Sequence, residues 1–312
     1  MKQQTQKTAV AKKVLPLQYT KILVPIYLVV ISIVFFASYN RIFDEKFDMN
    51  GDNIYYYSLG KALADGKGFT NIIGYDETPH GHFPPGYPAF ISVLMKMGVN
   101  SIHAIKVANG FLLYFSLILL FFIFAHLSKN NIIAFTATVL CTLHAQLLRF
   151  STIMMSESLY IFLSALIIFI VLKWDIKKAF PFGKGEKFFT RTIWRDIIAI
   201  ILLSASLAYI YFVRTMGVSL ILAVLLYYGI ILIWHLIQYF KNFSVITEKS
   251  LRTKSAKTKK YIIIYCILLI SFFAAKWSWD ARNVECFGKS GTSYVNDFMK
   301  KEGGNKMETL AD

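Results

Sequence analysis

Apolar and polar residues alternate along this chain in long blocks. Predominantly apolar runs cover about 22–39, 104–127, 131–147, 156–173, 197–213, 216–239 and 261–279. Each falls within the roughly 17–25 residues with which a helix crosses a bilayer's hydrocarbon core. The pattern therefore predicts an all-α membrane protein with seven transmembrane helices, the third interrupted by HAQLLR. The longest polar stretch between the runs is residues 40–103. At its centre stands GDNIYYYSLGKALADGKGFTNIIGYDETPHGHFPPGYP, residues 51–88. Within it, Asn53 to Ala64 carries apolar residues at Ile54, Leu59, Ala62 and Leu63, with Gly66 and Gly68 closing the pattern. That predicts a short helix along the membrane interface, with Tyr55, Tyr56 and Tyr57 at headgroup depth. Pro84-Pro85-Gly86-Tyr87-Pro88 then stiffens the backbone ahead of a second short helix, Ala89 to Met97.

Composition agrees with the pattern. The 312 residues are 56% hydrophobic and 16% aromatic, above the ~45–50% apolar share of soluble domains. The net charge of +16 would suit nucleic acid, but its distribution argues against that partner. Lysine and arginine crowd into Lys2–Lys21, Lys173–Arg195 and Lys241–Lys260, between alternate apolar runs, as positive-inside topology requires. The N-terminus, the basic loops and the SKNN turn at 128–131 are then cytoplasmic. The acidic loop 40–103, residues 148–155, the corner at 214–215 and the polar tail 280–312 are external. Three parts follow: a basic N-terminus (1–21), a membrane module (22–279) bearing the external loop 40–103, and the tail. The first apolar run is long enough to stay as an anchor rather than be cleaved. Residues 240–260 read as a solvated linker. Cys141 and Cys266 lie in apolar runs and Cys286 is alone in the tail, so neither a disulfide framework nor a zinc ribbon is indicated.

Several features combine in a familiar order. An apolar run precedes an external loop with an acid (Asp52), then Tyr56, Ala62 and Gly66 at a Y-x5-A-x3-G spacing, then PPGYP. Ser156-Glu157 opens the fourth run, Val213–Gly217 (VRTMG) follows the fifth, and Ala281–Asn283 (ARN) follows the seventh. Over residues 20–290 this resembles the GT-C glycosyltransferases, in particular the branch of protein O-mannosyltransferases and aminoarabinose lipid A transferases. The resemblance implies a bundle of about seven transmembrane helices with interfacial helices in the first external loop. It implies transfer of a sugar from a polyprenyl-phosphate donor to an external acceptor with inversion, the early loop acid acting as base; by position that acid is Asp52. Two departures stand out. The mannosyltransferase branch often has an adjacent acid pair where this chain has Asp52-Asn53. Relatives usually continue past the seventh helix, so the resemblance leads one to expect a naturally short member, one half of a split protein whose partner chain completes the C-terminal half, or a fragment.

Each candidate has a plainer role as well. From spacing alone Asp52 is a helix N-cap; with the resemblance it becomes the catalytic base. Glu157 at the head of an apolar helix is stabilised by the macrodipole. Acids at membrane depth are costly and tend to be functional, so it is read as orienting the acceptor or assisting the base. Arg214, Arg282 and Arg149, in that order, stand at external span ends and are candidates for holding the leaving phosphate; the plain reading is a snorkelling side chain. Lys276 could act similarly. Tyr56 and Tyr87 are candidate substrate contacts, Tyr87 being equally explained as a structural ring among prolines. His80 and His82, with Asp76 or Glu77, form a weak alternative as metal ligands; otherwise no metal or other cofactor is required.

The expected partners are the polyprenyl-phosphate sugar donor, a lipid, glycan or protein acceptor, and membrane lipids. Composition alone indicated loop 66–83 as mobile enough to close over the site. The expected location is a bacterial plasma (inner) membrane, N-terminus inside and catalytic loop outside. Two readings of another class stand beside the enzyme: an accessory or truncated non-catalytic module, and a transporter subunit.

Overall fold

A computed structural model describes residues 17–46, 51–73, 77–173, 191–241 and 248–290. Ten helices run through them: α1 Leu17–Ile42, α2 Asp52–Ala64, α3 Gly86–Lys96, α4 Ile102–Ser128, α5 Asn131–Thr142, α6 Ala145–Ser151, α7 Glu157–Lys173, α8 Arg191–Val213, α9 Gly217–Lys241 and α10 Glu248–Phe287. A minimal antiparallel ladder, β1 Thr70–Asn71 with β2 Thr78–Pro79, pairs Thr70 with Pro79 and Asn71 with Thr78. Four helical segments are long and apolar enough to cross a membrane: Leu23–Ile42, Ile102–Ser128, Gly217–Phe240 and Thr258–Phe287. The α5–α6 pair makes a fifth if taken as one broken span, and Glu157–Leu172 and Ile197–Val213 are shorter apolar helices. All seven apolar runs are thus largely helical and the chain is an all-α protein of membrane type.

Local chemistry explains the boundaries. The Ser101 hydroxyl accepts from the Ala104 N–H and opens α4; the Asn130 carboxamide accepts from the Ile132 N–H and opens α5. The third run does not continue straight to 147. It bends by 64° between Thr142 and Ala145, where His144 Nδ1 accepts from the Leu147 N–H and starts a new helix. Just upstream, Thr138 and Thr142 donate to the carbonyls four residues back, a bonding mode that bends helices.

α10 departs from expectation at both ends. It begins at Glu248, inside the stretch read as a linker, and runs unbroken to Phe287, beyond the predicted end at 279. Neither glycine nor proline interrupts the sequence until Gly288, at φ 68°, so nothing local stops the helix earlier. The first part of the expected tail is therefore helical; residues 291–312 lie outside the described ones.

The largest core cluster joins α2 and α3 to α7, α8, α9 and α10 through Tyr56, Tyr87, Ile91, Leu159, Leu203, Ile210, Ile221 and Leu268. The two short helices are consequently part of the bundle's packing at the end where α7 begins and α8 finishes. α3 starts at Gly86 rather than Ala89 because the prolines pre-set its first turn.

Candidate functional site

α2 is initiated by Gly51, at φ 87° and ψ −154°, a conformation open in practice to glycine alone. Asp52 is therefore the first helical residue, not the cap, and among the described residues no side-chain bond caps this end. Its carboxylate is exposed and, among the described residues, unpaired, while its charge favours the helix N-terminus. One turn on, Tyr56 points into the protein and is 6% exposed, and its hydroxyl stands 3.5 Å from Ser156 Oγ.

Ser156 is the junction of the site. Arg214 Nη1 donates to its Oγ at 3.4 Å and pairs with Glu157 Oε1 at 2.6 Å. The Arg214 and Glu157 side chains are 31% and 16% exposed. The second carboxylate oxygen, Glu157 Oε2, is buried and has no hydrogen-bond partner among the described residues. Tyr56 is held above the ordinary tyrosine pKa, chiefly by burial. The Ser156 hydrogen bond opposes that shift, Asp52 adds to it, Arg214 opposes it and Glu157 adds to it. Three charges from α2, α7 and the α8–α9 corner therefore act on one phenol.

The corner itself is constrained. The Arg214 N–H donates to the Ile210 carbonyl, and the Gly217 N–H to the Arg214 carbonyl. PPGYP docks directly beside it. A Cβ on Gly86 would lie 2.6–2.8 Å from backbone atoms of Phe212 and Val213, and Tyr209 donates its hydroxyl to the Gly86 carbonyl. Tyr87 is fully buried. Its hydroxyl accepts from Asn109 Nδ2, which also bonds the Ile153 carbonyl, and its ring meets Tyr56 edge-on at 5.1 Å. Burial holds Tyr87 well above the usual tyrosine range. It packs against Tyr56 and, fully buried, exposes no surface.

The arginines separate. Arg214 joins Glu157 and Ser156. Arg149 is exposed on α6 and unpaired among the described residues. Arg282 does not present a free cation for phosphate: Nη1 donates to the His80 carbonyl and Asn283 Oδ1, and Nη2 to the Phe69 carbonyl. Lys276 is paired with Asp280. The loop after α2 is also more tied down than its composition suggested, since the short ladder, the His80 N–H to Phe69 carbonyl bond and Arg282 all hold it.

Among the described residues the HGH pair does not form a metal site with Glu77. His80 is buried and its Nε2 accepts from the Phe83 N–H. Burial, then His82 and Arg282, lower its pKa to about 4. Among the described residues no group of three or more His, Cys, Asp or Glu side chains is set to hold a metal ion; Asp76 lies outside them.

Three supporting residues escaped the sequence reading. Lys106, 4% exposed, donates to the carbonyls of Asp44 and Lys46 and anchors the start of the loop. Asn109 ties α4 to Tyr87. Phe83 lies between His80 and Tyr56, at 5.5 and 5.1 Å. Lys106 and Asn109 were marked only by being polar within an apolar run.

No family model, curated protein or solved structure matches the chain.

Proposed function

We propose that this protein is a membrane glycosyltransferase of GT-C type, moving a sugar from a polyprenyl-phosphate donor to an acceptor on the external face. The observation that carries the reading is the meeting of an exposed acid, Asp52, unpaired among the described residues, with the Glu157–Arg214 pair around Tyr56 and Ser156. These groups gather where apolar helices of membrane type begin and end, with Arg214 in a tight corner. A sugar phosphate on a lipid tail needs such a border.

In the proposed step an acceptor hydroxyl or amine loses its proton to Asp52 and attacks the anomeric carbon. The bond from that carbon to the phosphate oxygen breaks, the electron pair leaves with polyprenyl phosphate, and the anomeric configuration inverts. Arg214 holds the departing phosphate, sharing a guanidinium already oriented by Glu157 and Ser156. Seven spans, an external loop and a bacterial inner membrane belong to this reading.

A transporter subunit gains one supporting feature, the broken α5–α6 pair, since transporters place broken helices at their binding sites. Against it, Ser158 at the start of α7 donates to the Phe150 carbonyl of α6, which ties α6 to the α7 start beside the site rather than to the middle of a helix.

The test is transfer or hydrolysis of a radiolabelled polyprenyl-phosphate sugar mixture in membranes containing the chain, beside Asp52→Asn and Asp52→Ala. Loss of a general base removes about 10²–10⁴ in rate, so both variants at normal abundance should fall at least a hundredfold. Full activity in the variants would sink Asp52 as the base. A silent wild type, alone and with candidate partner chains, would sink the enzyme reading in favour of an accessory module.

A further inference from the structure

The end of α10 and the loop after α2 are distant in sequence and closely joined in space. Arg282 reaches across with both arms of its guanidinium, to the His80 carbonyl at 2.6 Å and the Phe69 carbonyl at 3.0 Å. These carbonyls stand side by side at the open end of the β1–β2 ladder, where Thr70 pairs with Pro79, so one side chain clamps both strands there. Asn283 Oδ1, on a fully buried residue, accepts from Nη1 at 2.9 Å and fixes the fork. The guanidinium carbon lies 5.3 Å from the Phe69 ring, 5.2 Å from Trp279 and 5.5 Å from Phe287. Such faces attract a cation, more strongly once it is desolvated. Phe287 in turn presses on the loop at Gly81, where a Cβ would meet its ring carbons at 2.6–2.9 Å.

From the staple a line of contacts leads to the site. The His80 ring stacks on Phe83 at 17°, its Nε2 accepting from the Phe83 N–H at 3.0 Å. Phe83 touches Tyr55 and Tyr56, and Tyr56 meets Ser156, on which Arg214 also bears.

We propose that Arg282 is a positioning residue: it latches the loop at Phe69 and at His80–Phe83 to the end of α10 and, through His80 and Phe83, sets where α2 holds Tyr56 and Asp52 over the Glu157–Arg214 pair. The latch requires arginine rather than a positive charge. Lysine is a point charge on a flexible stem and does not reproduce a planar fork set among aromatic faces. Release of the latch frees the loop and loosens the first turns of α2 together, so displacement of the α10 end by a lipid or partner chain reaches the site without touching it.

Hydrogen–deuterium exchange of the full chain in nanodiscs tests this whether or not sugar transfer is its activity. In Arg282→Lys the His80 and Phe83 amides should lose about tenfold or more in protection, and α2 amides around Tyr56 several-fold, as expected when one local unit opens. Phe83→Leu should loosen α2 while the Thr70–Asn71 and Thr78–Pro79 segments keep wild-type exchange. Gly81→Ala, wedged against Phe287, should repeat the Arg282→Lys pattern from the loop side and serves if Arg282→Lys does not accumulate. Faster exchange confined to the loop, with α2 unchanged, would make Arg282 a pin for its own loop and overturn the proposal. Wild-type exchange in Arg282→Lys, or in Gly81→Ala where that replaces it, would remove the latch itself.

Discussion

Breaking the Arg214–Glu157 pair is the sharpest perturbation of the site's resting structure. At 2.6 Å and with side chains 31% and 16% exposed, the pair lies between two limits. Exposed pairs contribute less than about 1 kcal/mol, whereas removing one member of a buried pair costs about 3–5 kcal/mol because a charge is stranded. Glu157 lies nearer the buried limit, since Oε2 has no partner among the described residues and Oε1 would lose Arg214. Arg214→Met should therefore cost about 2 kcal/mol. Glu157→Gln should cost about 1 kcal/mol, because the more exposed guanidinium can turn to water and keep an amide acceptor. In the double variant no charge is stranded, so its loss should be about 1.5 kcal/mol rather than the sum of about 3, a coupling of about 1.5 kcal/mol between neighbours. Thermal unfolding of the four proteins in identical nanodiscs, at matched scan rate, reads this as an order: the double variant melts above Arg214→Met. If the double variant instead melts lowest, by the sum of the single losses, the two side chains are not coupled and the site's geometry is wrong.

Two further outcomes follow from the loop. His80 has its pKa lowered to about 4 in the folded protein against 6.5 ordinarily, so between these values the opened loop binds a proton that the closed loop excludes. Stability of the closed loop is full above pH 6.5 and falls by up to about 1.4 kcal/mol per unit as pH drops, levelling near 4. Protection of the Phe83 amide, corrected for intrinsic rate, should decline by up to tenfold per unit in that window; a flat profile would show that His80 does not report loop closure. Gly86→Ala places a methyl 2.6–2.8 Å from the Phe212–Val213 backbone, where no flexible side chain can yield. It should cost about 1–3 kcal/mol by overpacking; unchanged melting would mean that PPGYP does not seat against the α8 end.

Much of the architecture depends on local properties that the chain displays openly. Apolar runs of membrane length are helical because a run that long must satisfy its backbone internally. α2 and α3 follow from Gly51, the glycines at 66 and 68, and the prolines, because these restrict backbone torsions wherever they occur. Asp52, Glu157 and Arg214 were legible as charges at helix ends. Helix breaks were harder to read: the bend at His144 depends on a histidine acting as cap, and α10 overran both predicted ends because nothing local stops it. The role of each arginine was beyond local reading. Arg149, Arg214 and Arg282 look alike as basic residues near span ends. Only the folded chain sends Arg214 to Glu157 and Ser156, leaves Arg149 exposed, and spends Arg282 on carbonyls about 200 positions back, a pairing set by packing. Tyr87 divides in the same way. Its place in PPGYP is visible in the sequence, but its burial depends on Asn109 from another helix, because a side chain's surroundings are supplied by residues that its own neighbours along the chain do not specify.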